Sequence, residues 1–254
     1  MALLEIRNLS KYFGGLVAID QLDLDVFDSE ILGLIGPNGA GKTTLFNVIS
    51  GFFSPTSGKV IFKGKEITRL KPREIAGMGI GRTFQSTTLF MEATVFDNVF
   101  TGFHRHYKAA GWETFLHTAS VRKEEEAIKR KAVEILEFMG LASLEGELAQ
   151  NLPHGHQRIL GVCIALATNP SLLLLDEPVT GMNPGETLIM IGLIRQLRSR
   201  GITIVLVEHD MKTVMSLCDR IAVLDYGNKI AEGTPREISE NQEVIQAYLG
   251  REEV

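Results

Sequence analysis

The chain has 254 residues, a formal net charge of −5 and 44% hydrophobic residues, which is enough length and apolar content to bury a sizeable core. Its acidic balance argues against a general nucleic-acid binder, which normally carries a basic face. Two cysteines are too few for a disulfide framework, and no apolar run reaches the roughly 18 residues of a membrane-spanning helix. The composition therefore predicts a soluble, intracellular, globular protein.

The N-terminal part of the chain alternates between apolar and polar residues. Residues 4–6 and 22–26 follow this pattern, as do residues 59–63, which lie between two glycines. Because successive side chains of a strand point to opposite faces, the alternation predicts antiparallel strands with one buried and one hydrated face. We expect these strands to form a small antiparallel sheet.

Three other runs, residues 31–35, 172–175 and 202–207, are continuously apolar. Such runs are typical of parallel strands in a sheet that helices cover on both faces. Polar residues follow each run, at the end of the strand where open α/β sheets bind their ligands. The sequence therefore predicts an α/β core whose functional site lies along one sheet edge.

The middle of the chain is helical in pattern, from about residue 89 to residue 151. The clearest helix opens with the charged residues 122–126 and ends at Gly140. Apolar residues recur along it at helical spacing: Ile128, Ala132, Ile135, Leu136 and Met139. Because this stretch separates two blocks of parallel strands, we expect a helical subdomain, residues 89–165, inserted into a core of residues 1–88 and 166–254.

The strongest motif directly follows the apolar run that ends at Ile35, and it fits the pattern G-x-x-x-x-G-K-S/T. Its residues, with the one that follows, are Gly36, Pro37, Asn38, Gly39, Ala40, Gly41, Lys42, Thr43 and Thr44. The glycines let backbone N–H groups converge on phosphate oxygens, and a helix starting near Lys42 adds its positive end. We expect Lys42 to reach the β and γ phosphates and the Thr43 hydroxyl to bind Mg²⁺. The alternative is an ordinary glycine-rich turn, but the position between strand and helix favours a nucleotide site.

The second apolar run ends in two adjacent carboxylates, Asp176 and Glu177. Neighbouring strand residues point to opposite faces, so we expect the two to have different roles. One carboxylate at a strand tip can hold Mg²⁺, and the other can polarise an attacking water. The alternative is a strand that ends in ordinary polar surface, which the nearby phosphate loop motif disfavours.

Two further polar residues fit strand ends. His209 follows the third apolar run, where it is a candidate donor to a γ-phosphate oxygen or to the attacking water. Gln85 ends the segment Gly81-Arg-Thr-Phe-Gln85 and is a weaker candidate for the same edge. Taken singly, a histidine after a strand is more often structural than catalytic.

These motifs, in this order, resemble the ATP-binding subunit of ABC transporters over essentially the whole chain. The resemblance implies a P-loop NTPase fold with a parallel core sheet, an N-terminal antiparallel β-subdomain and an inserted helical subdomain. It implies that Glu177 is the catalytic carboxylate, His209 the switch histidine and Asp176 a residue that positions Mg²⁺. Gln85 would couple the metal and the water to the helical subdomain, and Phe13 would stack on adenine, with Tyr12 the less favoured stacker.

In that family two ATPase subunits form a head-to-tail dimer, with each ATP between one phosphate loop and the partner's signature motif. The segment that aligns with the usual L-S-G-G-Q signature departs from it, and the serine is missing: Leu152, Pro153, His154, Gly155, His156 and Gln157. The loop after Glu177 also departs from the family's common S-A-L-D, since it contains Gly-Met-Asn-Pro. These departures bear on the contacts made across the dimer.

These departures, together with the Arg-Thr-Phe-Gln segment, resemble the branched-chain (hydrophobic) amino acid uptake branch, and the insertion around residues 103–121 makes the chain similar to the longer of its two ATPase subunits. That resemblance implies a peripheral subunit on the cytoplasmic face of the membrane, working with a second ATPase, integral membrane permeases and an external substrate-binding protein. Three alternatives stay open: another ABC branch such as lipid or polysaccharide export, a soluble ABC-type ATPase acting on nucleic acid or in translation, and a binding role without hydrolysis. The single phosphate loop and the acidic balance disfavour the nucleic-acid alternative.

Overall fold

A computed structural model describes residues 2–84, 89–103 and 119–249 of the chain. The strands are β1 (Ala2–Phe13), β2 (Leu16–Phe27), β3 (Ile31–Ile35), β4 (Ser57–Phe62), β5 (Lys65–Glu66), β6 (Ile80–Arg82), β7 (Leu172–Asp176), β8 (Thr203–Val207), β9 (Arg220–Asp225) and β10 (Asn228–Gly233). The α-helices are α1 (Lys42–Ile49), α2 (Pro72–Met78), α3 (Val95–Gly102), α4 (Ala119–Phe138), α5 (His154–Leu166), α6 (Pro184–Ser199), α7 (Met211–Leu217), α8 (Pro235–Glu240) and α9 (Gln242–Leu249).

The strands form two sheets. The first has four strands in the order β2-β1-β4-β5, all antiparallel, which confirms the prediction from alternating residues. The second has six strands in the order β10-β9-β3-β8-β7-β6, and only the pairing of β10 with β9 is antiparallel. The three continuously apolar runs are β3, β8 and β7, which lie side by side as predicted, so their carboxyl ends meet at one edge.

Two hydrophobic clusters cover the two faces of the six-stranded sheet. In β3, Leu32 and Leu34 join a cluster with α1 and the antiparallel sheet, whereas Ile31 and Ile35 join a cluster with α5, α6 and α7. The same alternation divides the leucines of β7. Burial on both faces is the physical reason why the runs of residues 31–35 and 172–175 contain no polar side chain.

The described part of the segment from residue 89 to 165 contains the helices α3, α4 and α5, as predicted, and the rest of it consists of loops, turns and short 3₁₀ helices with one isolated bridge between Thr94 and Leu148. Helix α4 buries Ile128, Ala132 and Leu136 on one side, and Gly140 follows it with a φ of 77°, the left-handed conformation that ends helices. The division into an inserted subdomain and a core stays a prediction, because α3, α4 and α5 share one hydrophobic cluster with the sheet. In the part of the chain that the structure describes, no helix is long and apolar enough to span a membrane.

Candidate functional site

The loop between β3 and α1 places its backbone in tight contact with neighbouring strands. Gly36 and Gly41 have φ angles of 149° and 104°. A Cβ atom at Gly36 would lie 2.0 Å from the Leu224 carbonyl oxygen, and one at Gly41 would lie 2.4 Å from the Ala18 carbonyl oxygen. Gly39 also has a positive φ, 81°, but has open space around its α-carbon. Two of the motif's glycines are therefore required by close backbone approach and not only by conformation.

Lys42 is the first residue of α1, as the motif predicted. Its Nζ donates hydrogen bonds to the carbonyl oxygens of Gly36 at 2.6 Å and of Pro37 at 3.0 Å. Thr43 follows in the first turn and is exposed. The helix N-terminus, the loop amides and the Lys42 ammonium thus gather positive charge at one point, which suits an anion such as a phosphate group.

A C-terminal residue also contacts this loop. The Tyr248 side chain of α9 lies close to the backbone of Gly36: burial raises the pKa of Tyr248, and the Gly36 backbone opposes this rise. Sequence reasoning missed this contact, because nothing in the local pattern around Tyr248 connects it to a loop more than two hundred residues earlier. The last described helix therefore supports the start of the phosphate loop motif.

Asp176 ends β7, and its carboxylate lies next to a guanidinium. Arg82 Nη2 is 3.3 Å from Asp176 Oδ2, and the two side chains are 7% and 3% exposed. Burial raises the pKa of Asp176, and the charges of Arg82 and Lys42 oppose this. Burial likewise lowers the pKa of Arg82. Each ion thus offsets part of the other's desolvation cost.

Arg82 also reaches the helix that follows the phosphate loop. Its Nη1 donates to Asn47 Oδ1 and to Ser50 Oγ, both at 2.8 Å. Its guanidinium lies 4.9 Å from the ring centre of Phe84, a cation–π contact. Sequence reasoning quoted Arg82 within the segment before Gln85 but gave it no role; its position at the end of a strand was the available signal. Gln85 itself lies outside the described residues.

Glu177 differs from the prediction in how it is oriented. Glu177 lies just beyond the last residue of β7, and its φ of 50° is in the left-handed region. The Glu177 and Asp176 side chains therefore point in different directions because the chain turns at Glu177, and not because neighbouring strand residues alternate between faces. Its backbone N–H donates to the Val207 carbonyl oxygen at 2.9 Å, and the Thr180 hydroxyl donates to its Oε2 at 3.3 Å. The different surroundings of the two carboxylates are as expected, since Glu177 is 20% exposed and Asp176 is buried.

His209 lies beside Glu177, as the meeting of β7 and β8 predicts. The His209 Nδ1 atom is 4.0 Å from Glu177 Oε1 and also 4.0 Å from Glu208 Oε2. The His209 ring is 65% exposed. Glu208 is buried, and its carboxylate accepts hydrogen bonds from two backbone N–H groups, those of Val179 at 2.9 Å and His209 at 3.3 Å. Sequence reasoning assigned no role to Glu208.

The aromatic residues at the end of β1 are accessible, as a base-stacking role requires. The Phe13 ring is 40% exposed and makes an edge contact with Phe53, with ring centres 5.3 Å apart. Lys11 Nζ lies 4.7 Å from the centre of the Phe13 ring. The neighbouring Tyr12 is held by a hydrogen bond from its hydroxyl to Asp20 at 2.8 Å. The Tyr12 hydroxyl therefore already has a partner, and the stacking role of Phe13 stays a prediction.

The segment aligned with the signature motif surrounds the start of α5. Gln157 Nε2 donates to the carbonyl oxygens of Ala149 at 3.2 Å and Leu152 at 3.1 Å, so this side chain braces its own loop. A Cβ atom at Gly155 would lie 2.6 Å from the Glu186 carboxyl group, and one at Gly181 would lie 2.9 Å from the His154 ring. The segment therefore rests on the loop that follows Glu177 and on the start of α6.

The described residues suit Mg²⁺, the metal that the resemblance implies. Thr43 offers a hydroxyl oxygen and Asp176 a carboxylate oxygen, and hard oxygen donors are the ligands that Mg²⁺ prefers. Within the described ranges, no group of three or more His, Cys, Asp or Glu residues could hold a metal by itself.

Two family models match the chain. The model described as ABC transporter matches residues 19–180, and the one described as branched-chain amino acid ATP-binding cassette transporter matches residues 228–254. The chain is 42% identical over 249 residues to the high-affinity branched-chain amino acid transport ATP-binding protein LivG of Escherichia coli K12. It is 41% identical over 249 residues to BraF of Pseudomonas aeruginosa, and both alignments cover 98% of each chain.

Solved structures agree with these sequence matches. The ADP conformation of MJ1267, an ATP-binding cassette of an ABC transporter, matches with a TM-score of 0.87 and 34% identity, over 99% of this chain and 100% of that one. A dimeric post-hydrolysis state of the cassette MJ0796, bound to ADP and phosphate, matches with a TM-score of 0.77 and 25% identity, over 92% and 99% of the two chains. The predicted fold class is thereby confirmed.

Proposed function

The chain belongs to the ABC transporter family of ATP-binding proteins, and from this premise we propose that it binds and hydrolyses ATP to power uptake of branched-chain or other hydrophobic amino acids. One observation carries the proposed chemistry. Glu177 and His209 lie side by side at the ends of β7 and β8, and the phosphate loop follows the adjacent strand β3. The proposed base Glu177, the proposed phosphate contact His209 and the phosphate loop therefore lie at the same edge of the sheet.

Binding of the triphosphate uses the loop from Gly36 to Thr44. The backbone N–H groups, the α1 N-terminus and Lys42 stabilise the negative charge of the phosphates. The Lys42 ammonium now bonds two loop carbonyls, and it exchanges these partners for phosphate oxygens when ATP enters. Phe13 stacks on the adenine from the exposed end of β1.

Hydrolysis proceeds by in-line attack of a water on the γ-phosphorus, which breaks the bond from this phosphorus to the β–γ bridging oxygen and releases ADP and inorganic phosphate. The Glu177 carboxylate accepts the proton of this water, a general-base role that contributes about 10²- to 10⁴-fold in rate. His209 donates to a γ-phosphate oxygen and so orients the group that is transferred. Asp176 and Thr43 would hold Mg²⁺, with Gln85 as the further ligand the family resemblance implies, and the metal would supply positive charge against the charge that develops on the phosphates.

The partners follow from the family. We propose a head-to-tail dimer with a second ATPase subunit, in which Leu152 to Gln157 contact the ATP of the partner, and this is supported by the dimeric state of the related cassette MJ0796. Because the aligned serine is missing, the contact from this segment relies on backbone groups and on His154 or His156. The subunit works peripherally at the cytoplasmic face of a membrane, where permease subunits bind it and an external binding protein delivers the substrate.

The substitution Glu177→Gln tests the proposed hydrolysis. We expect ATP affinity to be retained and turnover to fall by at least about 100-fold, because the amide cannot accept the proton of the water. Phosphate release and equilibrium ATP binding are measured with purified protein, and the exposed Glu145→Gln serves as a control that leaves both unchanged. Undiminished turnover in Glu177→Gln would remove Glu177 from this role and with it the proposed mechanism.

A separate experiment tests the transport assignment. The chain is expressed with its neighbouring transporter genes, purified through a tag on the chain and reconstituted in vesicles. We expect permease proteins to co-purify and ATP-dependent uptake of leucine, isoleucine or valine to require Lys42. Co-purification with ribosomes or nucleic acid, or export of lipid or polysaccharide, would instead support one of the alternative branches.

A further inference from the structure

Glu208 is a buried carboxylate that the proposed mechanism does not use. It follows the last residue of β8 and is 1% exposed, whereas the adjacent His209 is 65% exposed. Glutamate is almost never fully buried unless it is paired, because removing a charge from water costs several kcal/mol or more. A structural reason must therefore exist for a glutamate at this position.

The hydrogen bonds of Glu208 join two separate loops. Its Oε1 accepts from the Val179 N–H, at 2.9 Å, in the loop that begins with Glu177. Its Oε2 accepts from the His209 N–H, at 3.3 Å, in the loop that follows β8. One buried carboxylate thus spans the loop of the proposed base and the loop of the proposed phosphate contact.

The His209 ring lies between two carboxylates. Its Nδ1 atom is 4.0 Å from Glu177 Oε1 and 4.0 Å from Glu208 Oε2. Because most of the His209 ring is exposed, packing against other side chains contributes little to the orientation of the ring. The buried Glu208 carboxylate, close to Nδ1, is a charge in a fixed position that orients it. The Glu177 N–H bond to the Val207 carbonyl oxygen, at 2.9 Å, is a second link, which joins the Glu177 loop to the end of β8.

We infer that Glu208 is a positioning residue, whose buried carboxylate fixes the Glu177 loop and the His209 loop to each other so that both side chains face the same γ-phosphate. The inference rests on the proposed function, which supplies the roles of Glu177 and His209. A misplacement of about 1 Å between reacting groups can cost about 100-fold in rate. A rigid link between the two loops therefore has a direct consequence for turnover.

The variant Glu208→Gln isolates this role. The side-chain volume is kept and Oε1 still accepts from Val179, but the new amide nitrogen faces the His209 N–H with a second donor. Thr203→Val is a matched control, because Thr203 lies buried at the other end of β8 and its hydroxyl accepts from the Ser29 N–H at 2.8 Å. Both variants lose one hydrogen bond between a buried side chain and a backbone N–H, and Thr203→Val also loses the longer contact of its hydroxyl with Asp28 Oδ1, at 3.4 Å; only the bond lost in Glu208→Gln lies at the site.

The first measurements are kcat, the Kd for ATP and the melting temperature of the purified full chain. We expect Glu208→Gln to lower kcat by about tenfold or more and to change the Kd by less than about threefold. We expect Thr203→Val to lower the melting temperature by a comparable amount and to retain kcat. The inference is wrong if Glu208→Gln keeps kcat within about twofold of the unsubstituted chain, or if Thr203→Val loses as much activity for the same loss of stability.

A double-mutant cycle tests whether Glu208 acts through His209. Single-turnover hydrolysis with excess protein measures slow rates, so the cycle can be completed in the His209→Ala background. We expect Glu208→Gln to change the rate by less than about twofold in that background, and an undiminished effect would overturn the coupling. Glu177→Gln distinguishes failure of this inference from failure of the proposed function. If Glu177→Gln abolishes turnover while Glu208→Gln has no effect, only this inference fails. If Glu177→Gln leaves turnover intact, the proposed function fails.

Discussion

The Arg82 guanidinium lies 3.3 Å from the Asp176 carboxylate, and both groups are almost completely buried. The same guanidinium bonds Asn47 of α1 and Ser50 directly after this helix, so it connects the strand that carries Asp176 to the helix that follows the phosphate loop. The proposed metal ligand and the proposed phosphate cradle are therefore held to one another through a single side chain. This arrangement makes the geometry of the site depend on an ion pair in the interior.

We expect Arg82→Met to destabilise the chain by about 3–5 kcal/mol, because it leaves the Asp176 charge buried without its partner. Urea unfolding measures the change. Arg236→Met is the control, since it breaks an exposed pair with Glu240, at 3.2 Å, whose contribution is about 0–1 kcal/mol. Equal effects of the two substitutions would contradict the structural role assigned to Arg82.

We expect Gly41→Ala to be more disruptive than Gly39→Ala, although both positions have a positive φ. At Gly39 the surroundings are open, so alanine should destabilise the chain only through its left-handed backbone conformation, by about 1–2 kcal/mol. At Gly41 the new Cβ would also lie 2.4 Å from the Ala18 carbonyl oxygen, so the phosphate loop must move. Urea unfolding and ATP affinity are measured for both, and a Gly41→Ala protein with native ATP affinity would contradict this account.

The sequence predicted the site where its signals were local. Three continuously apolar runs predicted β3, β7 and β8, and parallel pairing then brings their carboxyl ends together, which explains why Glu177 and His209 lie close. Arg82 could not be assigned a partner, because its ion pair joins residues 94 positions apart and depends on β6 pairing with β7. The burial of Glu208 could not be predicted either, since the alternation of a strand does not extend to a residue just beyond its end and so does not show whether that residue is buried or exposed.

We expect both cysteine thiols to be unreactive in the folded chain. Burial raises the pKa of Cys163, and it raises the pKa of Cys218 to about 12, so the nucleophilic thiolate is scarce and access is blocked. A chromogenic disulfide reagent should label neither thiol on the timescale of minutes in native buffer and both after unfolding in guanidinium. Rapid labelling of either thiol without denaturant would show that the surrounding core opens.

The last prediction concerns Asp210, which caps α7 directly after His209. Its Oδ2 accepts from the Thr213 hydroxyl at 2.7 Å and its Oδ1 from the Lys212 N–H at 3.2 Å, and these bonds, led by the one from Thr213, lower the pKa of Asp210. Because the folded chain binds this proton more weakly than the unfolded chain, the carboxylate contributes stability above its ordinary pKa of about 4, and the contribution is lost as pH falls through the folded value.

Asp210→Asn keeps a capping side chain but removes the titration. We therefore expect the difference in unfolding free energy between the unsubstituted chain and Asp210→Asn to be constant from about pH 7 to about pH 5 and to shrink toward about pH 3. Asp210→Ala, which removes the cap, should cost about 1 kcal/mol at neutral pH. A difference that does not change with pH would contradict the depressed pKa. It would also mean that the helix following His209 is not held by the Asp210 charge.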